Sequence, residues 1–108
     1  MFHFGMHQES AQEAEEIEKL EKAEREIKAR FPAAKMWQRS ACHIHLDVML
    51  GGMVAEVIAG LNGGYIVTAH NDADRSHHPK MVRTTCTSAA TALDKAVALL
   101  SLQNLTAA

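Results

Sequence analysis

The chain has 108 residues, 47% of them apolar and 22% charged, with 11 Lys and Arg against 13 Asp and Glu. Those figures describe one small domain with one core and exclude a multidomain enzyme. A net charge of -2 provides no long-range field to gather nucleic acid or anionic lipid, so any basic surface is local. Two cysteines, Cys42 and Cys86, and no basic, apolar secretory start point to a cytoplasmic protein with reduced thiols. The longest uncharged stretches, Val48 to Ala55 and Val57 to Asn71, are broken by glycines and do not read as membrane spans.

Residues 1–9 read as a terminal segment and 10–108 as a single domain. Its first element is acidic: between residues 8 and 30 lie eight of the thirteen acids. Ser10 and Glu13 have the spacing of a capping box, which predicts a helix over 10–31. Along it Glu15 precedes Lys19, Glu18 precedes Lys22, and Glu21 precedes Arg25, each four residues apart with the acid first. Pro32 disfavours helical geometry at Phe31 and ends the helix there. Ile17, Leu20, Ala23, Ile27 and Phe31 form a narrow apolar stripe, suited to the edge of a domain or to another helix.

Beyond Met36 the period changes to two. Cys42, Ile44, Leu46 and Val48 alternate with His43, His45 and Asp47, as in a strand with one buried and one wetter face. Gly51 and Gly52 predict a two-residue hairpin that sets Leu50 opposite Met53, Val48 opposite Ala55 and Leu46 opposite Val57. Asn62, Gly63 and Gly64 mark a second hairpin, leading into Tyr65 to His70, and Met81 to Thr87 has the composition of a further strand. The sheet therefore spans 36–87. Thr87 or Ser88 caps a last helix over 88–103, whose wide face carries Ala89, Leu93, Ala96, Val97 and Leu100. Helix, three to four antiparallel strands and helix make an α+β two-layer sandwich.

Four constellations invite chemistry. His43, His45 and Asp47 would neighbour Glu56 on the wetter sheet face, and a one-residue bulge in the second hairpin would add His70; such a set suits zinc. A solvated or partner-facing sheet surface is the simpler reading, so no metal or other cofactor is expected. Asp72, Asp74, His77 and His78 form a polar loop without the Gly and closing Glu of a calcium site. His3 behind a free amino terminus would chelate Cu(II) or Ni(II) adventitiously. Cys42 and His43 lie on opposite faces of a strand, so they make no catalytic pair, and Ser40, Ser76 and Ser88 sit in no nucleophile pattern. The expected protein is not an enzyme.

The order helix, strands, helix resembles the double-stranded RNA-binding domain. That family grips phosphate with a lysine pair where this chain has Ser88, Ala89, Ala90 and Thr91, so only Lys80, Arg83, His77 and His78 would supply a basic patch. In size, charge and architecture, though in no motif, the chain is similar to the small accessory proteins of phages and mobile elements, anti-CRISPR proteins among them. That resemblance implies a protein-binding inhibitor. With it, Glu15, Glu16, Glu18, Lys22, Arg25 and Glu26 become the expected contact residues, meeting a basic groove on a nucleoprotein complex. A homodimer paired through Ile17, Leu20, Ile27 and Phe31 is the alternative, as is an RNA- or metal-binding module.

Overall fold

The computed structural model describes residues 2–39, 43–60 and 62–107, with side chains over 11–39, 43–60 and 62–103. The elements are α1 (Phe2–Arg30), β1 (Lys35–Arg39), β2 (His45–Leu50), β3 (Met53–Ala59), β4 (Tyr65–Asn71), β5 (Val82–Cys86) and α2 (Ala89–Ala107). The strands form one antiparallel meander in the order β1-β2-β3-β4-β5. α1 packs on β2 and β3, α2 packs on β4 and β5, and the two helices touch each other. This is the expected α+β sandwich with one strand more than the sequence suggested.

The glycine pair Gly51 and Gly52 makes the first hairpin because both residues take positive φ, 53° and 87°, the geometry whose twist matches paired strands. Leu50 faces Met53, Val48 faces Ala55 and Leu46 faces Val57, the register expected. Val48, Val57, Val67, Leu46, Ala55 and Ala69 are thereby buried on the helix-facing side. Leu20, Ala23 and Ile27 of α1 and Ala89, Ala92, Leu93, Ala96 and Leu100 of α2 close the core from above. Tyr65 pins α1 to the sheet by donating its hydroxyl to the Lys19 carbonyl at 2.9 Å. Burial, and after it the charge of Glu26, pushes the Tyr65 phenol above its ordinary value.

Two expectations are corrected here. The first helix begins at Phe2, not near Ala11, so residues 2–9 are helical and Ser10 lies inside the helix. The capping box misled because a Ser and Glu three apart cap only where the chain leaves the helix, and nothing upstream of Ser10 breaks it. The other correction is β1, absent from the sequence reading. As an edge strand it exposes all of its residues but Met36, so it carries no alternating apolar signal. Its outer charges, Lys35 and Arg39, suit an edge that faces water. α2 starts at Ala89 as expected, with Ser88 as its cap: the Ser88 Oγ accepts the Thr91 amide at 3.4 Å. The placement of Cys42 on the buried face, and the reading of Ser40 as outside any nucleophile pattern, fall on residues outside the described ones.

The loop between β4 and β5 is organised by Asp74. Its carboxylate accepts the Ser76 hydroxyl at 2.6 Å, the Ser76 amide at 3.1 Å and the Lys80 amide at 2.9 Å. The Ser76 hydroxyl, then these two amides, hold the Asp74 carboxyl below its ordinary 3.8. A depressed carboxylate contributes order above its unfolded value and loses it as pH falls through the folded one. The Ser76 and Lys80 amide resonances should therefore shift together with a midpoint below pH 3.8, and Asp74→Asn should abolish that titration. A midpoint at or above the ordinary value would show that these bonds do not persist in solution.

Candidate functional site

Both helices cover one face of the sheet, which leaves the other open. The strand pairings lay out that open face as rows, one of which runs Trp37, Asp47, Glu56, Thr68 and Arg83. Another holds Lys35, Met49, Val54 and His70. Trp37 is 45% exposed and Met81, at the rim, is 56% exposed. Polar and apolar side chains thus share a surface that neither helix covers among the described residues.

On this face the side chains form a connected set. Arg39 donates its Nε to Asp47 Oδ2 at 2.8 Å. The other Asp47 oxygen, Oδ1, lies 3.2 Å from His45 Nε2. His45 Nδ1 lies 3.1 Å from the carbonyl of His43, and His43 Nε2 lies 2.8 Å from Glu56 Oε1. The two imidazoles stand 4.9 Å apart at 45°. His45 is 9% exposed, whereas the His43 side chain is about half exposed.

The expected neighbours on the wetter face are therefore together. His70 is on the same face too, because the second turn spans Gly60 to Gly64, closed by the Gly60 amide on the Gly64 carbonyl at 2.7 Å. A five-residue connection sets Glu56 opposite Thr68 and Val54 opposite His70, which has the effect of the bulge considered above. His70 and Glu56 share the walls of a shallow hollow with Asp47, Thr68 and Met81. Among the described residues, the group whose ligand atoms lie within 4.8 Å of one another is His43, His45 and Glu56, without His70.

Comparison with known proteins adds no relative to this geometry. No protein-family model, curated protein or solved structure matches the chain.

The six charged residues expected on α1 divide into three environments. Glu15 and Glu16 wall a groove of about 390 Å³ with Gln12 and Lys19, and its opposite wall includes His43, Ile44 and Ile58. Glu18, Lys22 and Arg25 are exposed outside that groove. Glu26 instead serves the fold: its Oε1 accepts the Ala89 amide at 3.2 Å, at the start of α2, where a negative charge is favourable. None of the acid-first pairs closes to within 4 Å among the described residues. The ion pairs observed there are Arg30 with Asp94, Arg39 with Asp47, and the two histidine contacts. The carboxylates from Glu13 to Glu24 are therefore exposed to solvent without an ion-pair partner among the described residues.

Sequence reasoning missed Arg39 and Trp37, which come from β1. Charge alone gave no sign of them, since a five-residue edge strand has little pattern to read. Near the start of α2, Cys86 lines a separate hollow of about 400 Å³ with Gly60, Tyr65 and Thr87. The Ser88 amide holds its thiol below the ordinary 9.0, burial opposes that, and the Thr87 backbone and the Lys95 charge assist. Among the described residues no helix is long and apolar enough to cross a membrane.

Proposed function

We propose that this chain is a non-catalytic, cytoplasmic protein-binding protein that inhibits a nucleoprotein complex, as anti-CRISPR proteins of phages and mobile elements do. The observation that carries the reading is the unpaired acidic face of α1. Every side chain from Ala11 to Glu16 is exposed. Glu15, Glu16 and Glu18 make no ion pair among the described residues, although Lys19 and Lys22 lie one turn further on. A rigid row of carboxylates fits a groove built to hold a phosphate backbone, and complementary charge gives fast association with such a groove. Lys22 and Arg25 flank the row and would set its register. Glu26, expected in the same contact, is better understood as a second acceptor at the start of α2, beside the Ser88 cap.

Two alternatives lose support from particular contacts. A dimer through the α1 stripe would need Leu20 and Ile27, which are already buried inside this domain at 1% and 0% exposure. An RNA-binding domain of the double-stranded type would meet phosphate at the start of its last helix. Here the Glu26 carboxylate occupies that position.

The test is phage plating on bacterial strains, each with one active CRISPR system and together covering the distinct types, with and without this protein expressed. Restored plating of a targeted phage against one system is expected. The triple variant Glu15→Lys, Glu16→Lys, Glu18→Lys should return plating to the empty-vector level while keeping its unfolding temperature. Restored plating in no strain, or an inhibitor indifferent to the triple reversal, would refute the proposal.

A further inference from the structure

The cluster on the open sheet face has a feature that hydrogen bonding alone does not settle. His45 Nδ1 faces a backbone carbonyl, an acceptor only, so that nitrogen carries the hydrogen. In a neutral ring Nε2 then presents a lone pair, and it presents it to Asp47 Oδ1 at 3.2 Å, a second acceptor. Two acceptors facing one largely buried imidazole call for a second positive centre at Nε2, either a proton or a metal ion. A hydrogen bond from Nδ1 to a backbone carbonyl is also the arrangement that orients a metal-binding histidine through its other nitrogen.

The neighbouring groups favour the metal. His43 Nε2 and Glu56 Oε1 lie 2.8 Å apart, and one ligand atom from each of His43, His45 and Glu56 falls within 4.8 Å of the other two. Tetrahedral zinc at about 2.0–2.1 Å from nitrogen and oxygen needs its ligands roughly 3.3 Å apart, a change that small side-chain rotations supply. We infer that His43, His45 and Glu56 form a site for a zinc-type divalent ion taken up at His45 Nε2, with the His43 carbonyl orienting His45 through Nδ1 and a water molecule in the fourth position. Two histidines and one glutamate match the borderline hardness of zinc, and one of the three, His43, also lines the α1 groove. The β2–β3 register makes the site, since it is the pairing of Asp47 with Glu56 that carries the carboxylate alongside the histidines.

The experiment is titration of the full chain with zinc chloride by calorimetry, and with cobalt chloride followed by visible absorption. These ions avoid the copper and nickel chelation that His3 behind a free amino terminus would give. One equivalent of zinc and an intense cobalt band of tetrahedral type are expected. His43→Ala at an exposed position and Glu56→Gln at a half-buried one should each weaken zinc binding about 100-fold or more and remove the band. His77→Ala with His78→Ala should change neither. Should His45→Ala fail to fold, the His43 and Glu56 variants still decide the matter. The absence of a tetrahedral cobalt band, or wild-type affinity in both His43→Ala and Glu56→Gln, would overturn the site.

Discussion

Leu93→Ala is expected to lower the unfolding free energy by about 3 kcal/mol, the largest stability effect of any single truncation in α2. Leu93 is fully buried, and the inner face of α2 around it is otherwise built mainly of Ala89, Ala92 and Ala96, with Leu100 a further two turns along. Small neighbours let the helix lie close to β4 and β5, but their single methyl groups are fixed to the backbone and cannot swing into a void. The cost therefore combines the lost transfer of the side chain from water with a persistent cavity. For a domain whose whole stability is roughly 5–15 kcal/mol, the thermal midpoint should fall on the order of 10 °C. Leu99→Ala, in the same helix at 41% exposure, serves as the comparison and should cost about 0.5 kcal/mol or less. Denaturant unfolding of both variants checks this, and equal losses would mean that α2 is not seated as described.

A second large effect is expected at Gly64, where the reason is space and not backbone angle. A Cβ there would lie 2.8 Å from the Cys86 carbonyl oxygen, 3.4 Å from its carbon and 3.7 Å from the Thr87 Cα. All three obstacles are main chain, so no side chain can rotate aside. Gly64 stands directly before Tyr65, whose pairing with Cys86 begins the β4–β5 ladder. Gly64→Ala should therefore push the end of β5 away from β4 and cost about 1–3 kcal/mol. Amide exchange at Tyr65 and Val67 should accelerate more than at Val48 in the first hairpin. Stability within about 0.5 kcal/mol of the parent would show that the strands separate there without strain.

Much of this architecture could be read from local chemistry. The Gly51–Gly52 turn fixed its own register, because a two-residue loop leaves one pairing that puts Leu46, Val48, Ala55 and Val57 on one side. The faces of both helices followed from a period of 3.6, down to Leu20, Ala23 and Ile27 on α1. What could not be read depended on partners distant in the chain. Lys35–Arg39 becomes a strand because β2 offers it a free edge, not because its own residues favour one. Whether His70 joins the face of Glu56 turned on the parity of one connection, and Asn62, Gly63 and Gly64 are compatible with either. Glu26 shows the same limit: in sequence it is one more acid in an acidic run, and only the arrival of Ala89, 63 residues later, gives it a separate task. The cluster of His43, His45 and Glu56 lay between these cases. Its members could be named from strand alternation, while the tautomer conflict at His45 needed coordinates.

The meander also bears on how the chain reaches this state. Each strand pairs with the next along the sequence, so the sheet can grow by successive hairpins across connections that are mostly short. The helices differ. Arg30 meets Asp94, and Glu26 meets Ala89, across 64 and 63 residues, so docking α1 against α2 closes a loop that holds the whole sheet. Loop-closure entropy grows only slowly with length, and a formed sheet would lower that cost by bringing the two platforms side by side. Contact order thus leads us to expect the central hairpins to form first and the acidic helix to dock onto them.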